Sequence, residues 1–223
     1  MKTAPVTLIA LAVTCCCLIS ASVAGDENKI KVDVYYESLC SDSIYFITKE
    51  LAPAFNHPEV KKFLKVNLVP FGKASWSVGD GAQPVQFHCQ HGEKECYGNK
   101  AQSCALDEIQ KNVSDGDEKQ QKSVDVVNCA MSNSSPDTAV PQCAQNVGLG
   151  PDAVQRITAC TEGQEGTDLL IKNGEKTFKV QKPLTFVPTV IINGENNQGA
   201  FRSFGKVICD LIQGEKPSVC ANY

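Results

Sequence analysis

The alternation of apolar and polar positions predicts short strands and amphipathic helices in a definite order. Residues 30–36 form a β-branched and aromatic run that partly alternates with charged side chains, which indicates a strand. Residues 43–55 place apolar side chains at helical spacing, and Pro53 predicts a kink or a stop near the end of that helix. Residues 65–71 predict a second strand. A strand, a helix and a strand in this order favour parallel strand neighbours.

The amino-acid composition of the chain changes from residue 73 to about residue 145. Glycine, serine, glutamine and charged residues are common there, long apolar runs are absent, and only 101–112 and 118–131 are compatible with helices. We interpret this stretch as a mostly helical insertion that is held by disulfides rather than by a large core of its own.

The C-terminal part of the chain again shows patterns that predict regular helices and strands. Helices are predicted at residues 151–160, 163–173 and 203–213. A strand is predicted at 185–193, and the turn signal Asn193-Gly194 predicts a hairpin partner around 198–201. The complete order is βαβ, insertion, α, ββ, α, which predicts an α/β protein with a thioredoxin-like fold.

The N-terminus predicts secretion. A positive residue, a 14-residue apolar run at 6–19 and small residues precede position 25. This order is typical of a cleaved signal peptide at 1–24, and the run is too short for a comfortable membrane span. We therefore predict one mature domain at 25–223, without a membrane span. Asn112 and Asn133 fit the glycosylation acceptor pattern, which requires a surface position.

Composition and charge narrow the classes of partner. The 223 residues are 42% hydrophobic and 21% charged, which excludes global disorder. The formal net charge of -4 gives no electrostatic reason to expect a nucleic-acid partner. The expected partner is a protein, either as a substrate or as a binding partner.

Cysteine is the unusual component. The chain has 12 cysteines, three of them in the predicted signal peptide, so nine remain in the mature protein. In an oxidising compartment an odd number implies disulfides with one thiol left over. Cys40 lies 49 residues from its nearest mature neighbour and is the candidate for that free thiol. The cysteines expected to form structural disulfides are Cys89, Cys96, Cys104, Cys129, Cys143, Cys160, Cys209 and Cys220.

Cys40 is also a candidate nucleophile, because it lies where the first strand ends and a helix begins. Backbone N–H groups at a helix N-terminus favour the thiolate, whereas the neighbouring Asp42 opposes it. Dithiol reductases place a resolving cysteine three residues later, and here that residue is Ser43. Pro188 is the candidate cis-proline that lies against the thiol and leaves strand backbone free for a substrate. The alternatives are a buried, inert or disulfide-bonded Cys40 and an ordinary strand-start Pro188.

A second candidate motif runs from Cys89 to Cys104. It consists of Cys-Gln-His-Gly, then Glu-Cys after two further residues, Asn after two more, and Cys after another four. Cysteine and His91 by themselves admit a zinc site, but the spacings fit no common finger and an oxidising compartment favours disulfides. We therefore expect no metal and no cofactor. The stretch resembles, position for position, the signature of the gamma-interferon-inducible lysosomal thiol reductase (GILT) family. Residues 35–40, 160–166 and 187–188 resemble further landmarks of that family.

The resemblance implies a thioredoxin-like fold with a disulfide-braced helical insertion, glycosylation, and delivery to acidic endocytic compartments. It also implies reduction of disulfides in internalised proteins by a pair of thiols. Cys40 corresponds to the attacking thiol, and Ser43 departs from the pattern at the resolving one.

Two functions remain open at this point. We favour a secreted, or alternatively lysosomal, scaffold with little or no reductase activity and a binding role, in which Cys40 could form an intermolecular disulfide. The alternative is a single-thiol disulfide reductase that acts through Cys40 and uses an external thiol as resolver.

Overall fold

A computed structural model describes residues 28–78 and 85–223 of the chain. The predicted signal peptide lies outside these residues. The strands are β1 (Ile30–Tyr36), β2 (Leu64–Pro70), β3 (Ser75–Ser77), β4 (Gln86–His88), β5 (Thr189–Ile192) and β6 (Glu195–Asn196). The α-helices are α1 (Ser41–Tyr45), α2 (Ala52–Phe55), α3 (Pro58–Lys61), α4 (Glu93–Asn112), α5 (Gly116–Met131), α6 (Val140–Asn146), α7 (Pro151–Glu162), α8 (Gln164–Val180) and α9 (Phe204–Leu211).

The main sheet has four strands in the order β2-β1-β5-β6. Strand β1 pairs in parallel with β2, as the strand–helix–strand pattern predicts, and antiparallel with β5. Val34 of β1 lies between Leu68 on one side and Val190 on the other. The sheet and its flanking helices form the predicted thioredoxin-like α/β arrangement. The C-terminal end of β1 and the N-terminal end of β5 therefore lie side by side, with Tyr35 opposite Thr189.

The helix after β1 differs from the predicted 43–55 at its start and agrees with it at its end. It begins at Ser41, two residues earlier than predicted, and it continues past Pro53 to Phe55. Between α1 and α2 the segment Phe46–Leu51 is a π-helix, in which the N–H of Ala52 bonds to the carbonyl of Ile47. The wider π turn precedes the proline, whose ring nitrogen has no hydrogen to donate, and the helix does not stop there.

Two predictions for the C-terminal strands are wrong. The strand begins only at Thr189, after Pro188, which cannot donate to a strand ladder. The hairpin partner is Glu195–Asn196 rather than 198–201, because Asn193 (φ 51°) and Gly194 (φ 89°) complete a two-residue turn at once. The segment Gln198–Arg202 is instead a 3₁₀ helix.

The predicted insertion shares the core of the sheet. Buried side chains of α4, α5 and α6, such as Ala105, Val127 and Val140, belong to one cluster with Val34 of β1. These helices are therefore held by common apolar packing as well as by disulfides. The short hairpin of β3 and β4 was not predicted, since three-residue strands are too short to show a period.

The eight cysteines form the disulfides Cys89–Cys96, Cys104–Cys160, Cys129–Cys143 and Cys209–Cys220. The second of them joins α4 to α7, and the third joins α5 to α6. Along residues 28–78 and 85–223 no helix combines the length and the hydropathy needed to cross a bilayer.

Candidate functional site

Cys40 is the residue that immediately precedes α1. Its carbonyl accepts a hydrogen bond from the N–H of Ile44 at 2.9 Å, so its side chain lies at the N-terminal end of that helix. The thiol is unpaired and half-buried. It packs against a small apolar cluster formed by Tyr35, Val69, Leu184, Val187 and Ile191. Cys40 is thus held in place by apolar neighbours while the residue remains partly exposed.

The segment before β5 faces this thiol. The Val187–Pro188 peptide bond is cis, and the Sγ of Cys40 lies 3.8 Å from the carbonyl oxygen of Val187. The hydroxyl of Thr189 donates to the carbonyl of Phe186 at 2.6 Å. The structure therefore brings Cys40 and Pro188 together, although they are far apart in the sequence.

Partly buried aromatic side chains flank the same segment. The ring of Phe186 lies 5.2 Å from that of Phe201, which in turn lies 5.9 Å from the ring of Tyr45 in the helix after Cys40. The guanidinium of Arg202 covers the rings of Tyr45 and Phe201 at 4.4 and 4.7 Å. A surface with apolar faces and the Arg202 cation therefore adjoins the segment that faces the thiol.

Ser43 occupies the third position of the helix and is fully buried. Its Oγ accepts a hydrogen bond from the backbone N–H of Glu37 at 3.2 Å. The hydroxyl therefore connects the helix with the end of β1. A hydroxyl cannot attack a mixed disulfide, so this position offers structure and no resolving chemistry.

Glu37 is a buried carboxylic acid in the loop that leads to Cys40. One of its oxygens, Oε1, accepts a hydrogen bond from the N–H of Lys73 at 2.7 Å. Burial raises the pKa of Glu37 to about 7; the charge of Glu95 adds to this, and the Lys73 hydrogen bond and His91 oppose it. Gly72 permits this packing, because a Cβ there would lie 2.2 Å from the Cγ of Glu37 and its φ is 61°.

Helix α4, which carries most of the signature, holds the same loop. The N–H of Ser38 donates to Oδ1 of Asn99 at 2.9 Å, and the hydroxyl of Ser38 donates to the carbonyl of Glu95 at 3.1 Å. One turn further on, Gln102 accepts a hydrogen bond from the hydroxyl of Tyr36 at 2.7 Å. These buried polar contacts position Tyr36, the last residue of β1, and Ser38, which lies two residues before Cys40.

Sequence reasoning did not identify Glu37, Glu95, Asn99 and Gln102 as part of the site. A signal was present, since the last three recur every three or four residues, which is the spacing of one helix face. The helix predicted from the sequence began only at residue 101, however, so it left Glu95 and Asn99 outside. Polar residues on a buried face require partners, and the partners are the loop before Cys40.

Gly98 of the signature allows α4 to approach this loop. A Cβ at Gly98 would lie 2.6 Å from Oγ of Ser38 and 3.0 Å from the backbone Cα of Asp137. We expect Gly98→Ala to lower the free energy of unfolding by about 1–3 kcal/mol, because the overpacking outweighs the higher helix propensity of alanine. Urea denaturation measures this.

Gly116→Ala is the matched control for that substitution. Gly116 begins α5 and has no atom within 4 Å of a Cβ position, so we expect little change in stability. Equal denaturation midpoints for both variants would contradict the close approach of α4 to Ser38.

The remaining predicted positions are on the surface or in disulfides. Cys89 and Cys96 are bonded to each other, so neither is available to a metal ion together with His91. Asn112 at the end of α4 and Asn133 after α5 are both exposed, which is the condition for glycosylation at either acceptor.

Comparison with known proteins gives the following similarities. Residues 31–147 match the family model described as gamma interferon inducible lysosomal thiol reductase. A gamma-interferon-inducible lysosomal thiol reductase-like protein from Anopheles gambiae is 44% identical over 168 residues, covering 74% of this chain and 67% of that protein. GILT-like protein 1 from Drosophila melanogaster is 34% identical over 217 residues, covering 92% of this chain and 84% of that protein.

One solved structure extends the comparison to the fold. The MdbA protein, a thiol-disulfide oxidoreductase from Actinomyces oris, superimposes with a TM-score of 0.58 over 87% of this chain and 85% of that chain. The sequence identity is 18%, so the similarity concerns the fold alone. It confirms the thioredoxin-like arrangement predicted from the order of the elements.

Proposed function

The chain belongs to the gamma interferon inducible lysosomal thiol reductase family, and from that premise we propose that it exchanges disulfides of protein substrates through the single thiol of Cys40. The observation that carries the proposal is the free thiol of the partly exposed Cys40 at the N-terminal end of α1, with its sulfur 3.8 Å from the Val187 carbonyl oxygen. The backbone beside Pro188 offers a substrate strand an edge for pairing.

The proposed reaction needs an external small thiol as the reductant. The Cys40 thiolate attacks one sulfur of the substrate disulfide, forms a mixed disulfide, and releases the other half of the substrate as a thiolate. An external thiolate then attacks the Cys40 sulfur and releases the second half. A second external thiol restores the Cys40 thiolate and leaves as the oxidised external disulfide. One substrate disulfide is reduced and two external thiols are oxidised, so electrons balance.

A second candidate is the binding scaffold without thiol chemistry, and the burial of Ser43 favours it. Its hydroxyl bonds to the Glu37 amide, so the position of the resolving thiol has acquired a structural contact. In that case the aromatic group of Tyr45, Phe186 and Phe201 would hold a protein partner without covalent exchange. We place either activity outside the cell or in lysosomes, following the predicted signal peptide.

The number of peptide thiols released in the absence of an external thiol distinguishes three cases: exchange through one thiol, exchange through two thiols, and a scaffold without thiol chemistry. We expect each molecule, when mixed with a peptide disulfide, to release one peptide thiol and to retain the other half on Cys40. Intact-mass spectrometry reads the retained half, and a small thiol should then release it. A dithiol enzyme would release both halves and keep none, and a pure scaffold would release neither.

A further inference from the structure

Three side chains that can bind a metal ion converge beside the loop that leads to Cys40. Nδ1 of His91, one oxygen of Glu37 and one oxygen of Glu95 all lie within 4.8 Å of one another. Nδ1 of His91 is 2.5 Å from Oε2 of Glu95 and 3.7 Å from Oε2 of Glu37. One ligand comes from the loop after β1, and two come from the start of the signature.

Within the described part of the chain, Oε2 of Glu37 has no hydrogen-bond partner although it is buried. Both carboxylic acids are fully buried, whereas the His91 side chain is 41% exposed. An unpaired buried carboxylate oxygen is costly and requires a partner. The open side at His91 gives an ion and its water molecules a way to this oxygen.

The backbone holds the three side chains in this arrangement before any ion arrives. The Cys89–Cys96 disulfide closes the turn that carries His91, and the N–H of His91 donates to Oε1 of Glu95 at 3.0 Å. Glu37 is fixed from the opposite side by the Lys73 N–H. Such outer contacts orient ligands in metal sites.

We propose that Glu37, His91 and Glu95 bind a divalent transition-metal ion, with Zn²⁺ as the probe. One imidazole nitrogen and two carboxylate oxygens are a donor set that Zn²⁺ accepts, at about 2.0–2.2 Å from each donor, with water as a fourth ligand. Tetrahedral donors at that range are ~3.4 Å apart. The His91–Glu37 separation is close to this value, and the His91–Glu95 contact must open by about 1 Å, within the reach of a side-chain rotation.

The donor set differs from the cysteine-ligated zinc site that the Cys and His content of the signature admits. Sulfur takes no part, because Cys89 and Cys96 are bonded to each other. The inference is also independent of the exchange reaction proposed for Cys40. The alternative is an ion pair in which a protonated His91 lies between the two carboxylates and no metal binds.

Isothermal titration with Zn²⁺ tests the proposal. The full chain carries Cys40→Ala, so that the free thiol cannot bind the ion, and reductant is omitted to preserve the disulfides. We expect one ion per chain, and we expect Glu37→Gln and His91→Ala each to weaken binding at least about tenfold. Glu93→Gln, an exposed residue of the same turn, should change nothing.

Each other outcome overturns the proposal. Absence of binding, or equal affinity in His91→Ala, would leave only the ion pair. His91 is exposed, so that variant keeps the test valid if Glu37→Gln does not fold. X-ray absorption at the zinc edge should give a first shell of nitrogen and oxygen, and a sulfur shell would contradict the assignment.

Discussion

Cys40→Ala is expected to reduce disulfide exchange to the rate of the external thiol alone. The other cysteines of the described residues are all in disulfides, so no second thiol can replace Cys40. Removing the nucleophile of a covalent mechanism costs at least about a hundredfold of the catalysed rate. Reduction of a fluorescent peptide disulfide in the presence of a small thiol measures this loss.

Ser41→Ala is the control for that experiment, since Ser41 is exposed and adjacent to Cys40 but carries no thiol. It should keep the wild-type rate. Equal rates in wild type and Cys40→Ala would exclude exchange through this thiol and favour the scaffold. Partner binding that survives Cys40→Ala would point the same way.

The central strands could be predicted because their signal is local. Strand β1 is observed at the predicted residues, and β2 is shifted by one residue relative to the predicted 65–71. In β1 the side chains of Val32, Val34 and Tyr36 are buried, and the charged Lys31 and Asp33 alternate with the first of them, although Tyr35 is buried as well. Such alternation specifies which face of a strand enters the core without reference to the rest of the chain.

The short and irregular elements could not be predicted in this way. Strands β3, β4 and β6 have two or three residues, which is less than one readable period. The prediction of residues 198–201 as a strand assumed a longer loop than the turn at Asn193 needs. The π-helical turns before Pro53 depend on how the chain adjusts to a proline inside a packed helix, which a linear pattern does not encode.

The residues of the candidate site also differ in whether the local sequence could predict them. Cys40 and Pro188 could be nominated from the sequence, because a helix start and a proline before a strand are local features. The environment of Glu37 could not, since it depends on the packing of α4 against the end of β1. Its burial, its raised pKa and its contact with His91 arise only when these distant segments meet. The cysteine, histidine and glutamate residues of the signature suggest a metal site from the sequence. The structure shows that Cys89 and Cys96 are bonded to each other, which leaves His91 and Glu95 as candidate ligands beside Glu37.

Ser43→Cys is expected to release the mixed disulfide on Cys40 without an external thiol. The side chain of residue 43 lies in the first turn of the helix that Cys40 precedes, at the spacing from which a second thiol can attack. A thiol tethered there acts at an effective concentration of millimolar or more, so the lifetime of the adduct should fall at least about a hundredfold. Intact-mass spectrometry should show loss of the retained peptide half and a new disulfide between residues 40 and 43.

Ser43→Cys should also lower the stability of the fold slightly. Sulfur accepts the Glu37 N–H less well than the Ser43 hydroxyl does, and we expect a loss of about 1 kcal/mol in the free energy of unfolding. Ser41→Cys is the matched control, because it adds an exposed thiol next to Cys40 without the helical spacing, and it should leave the adduct long-lived. An adduct equally stable in Ser43→Cys and wild type would mean that the buried position cannot present a thiol to Cys40. The packing around Glu37 would then exclude a resolving thiol at position 43, and one substitution would not create a thiol pair.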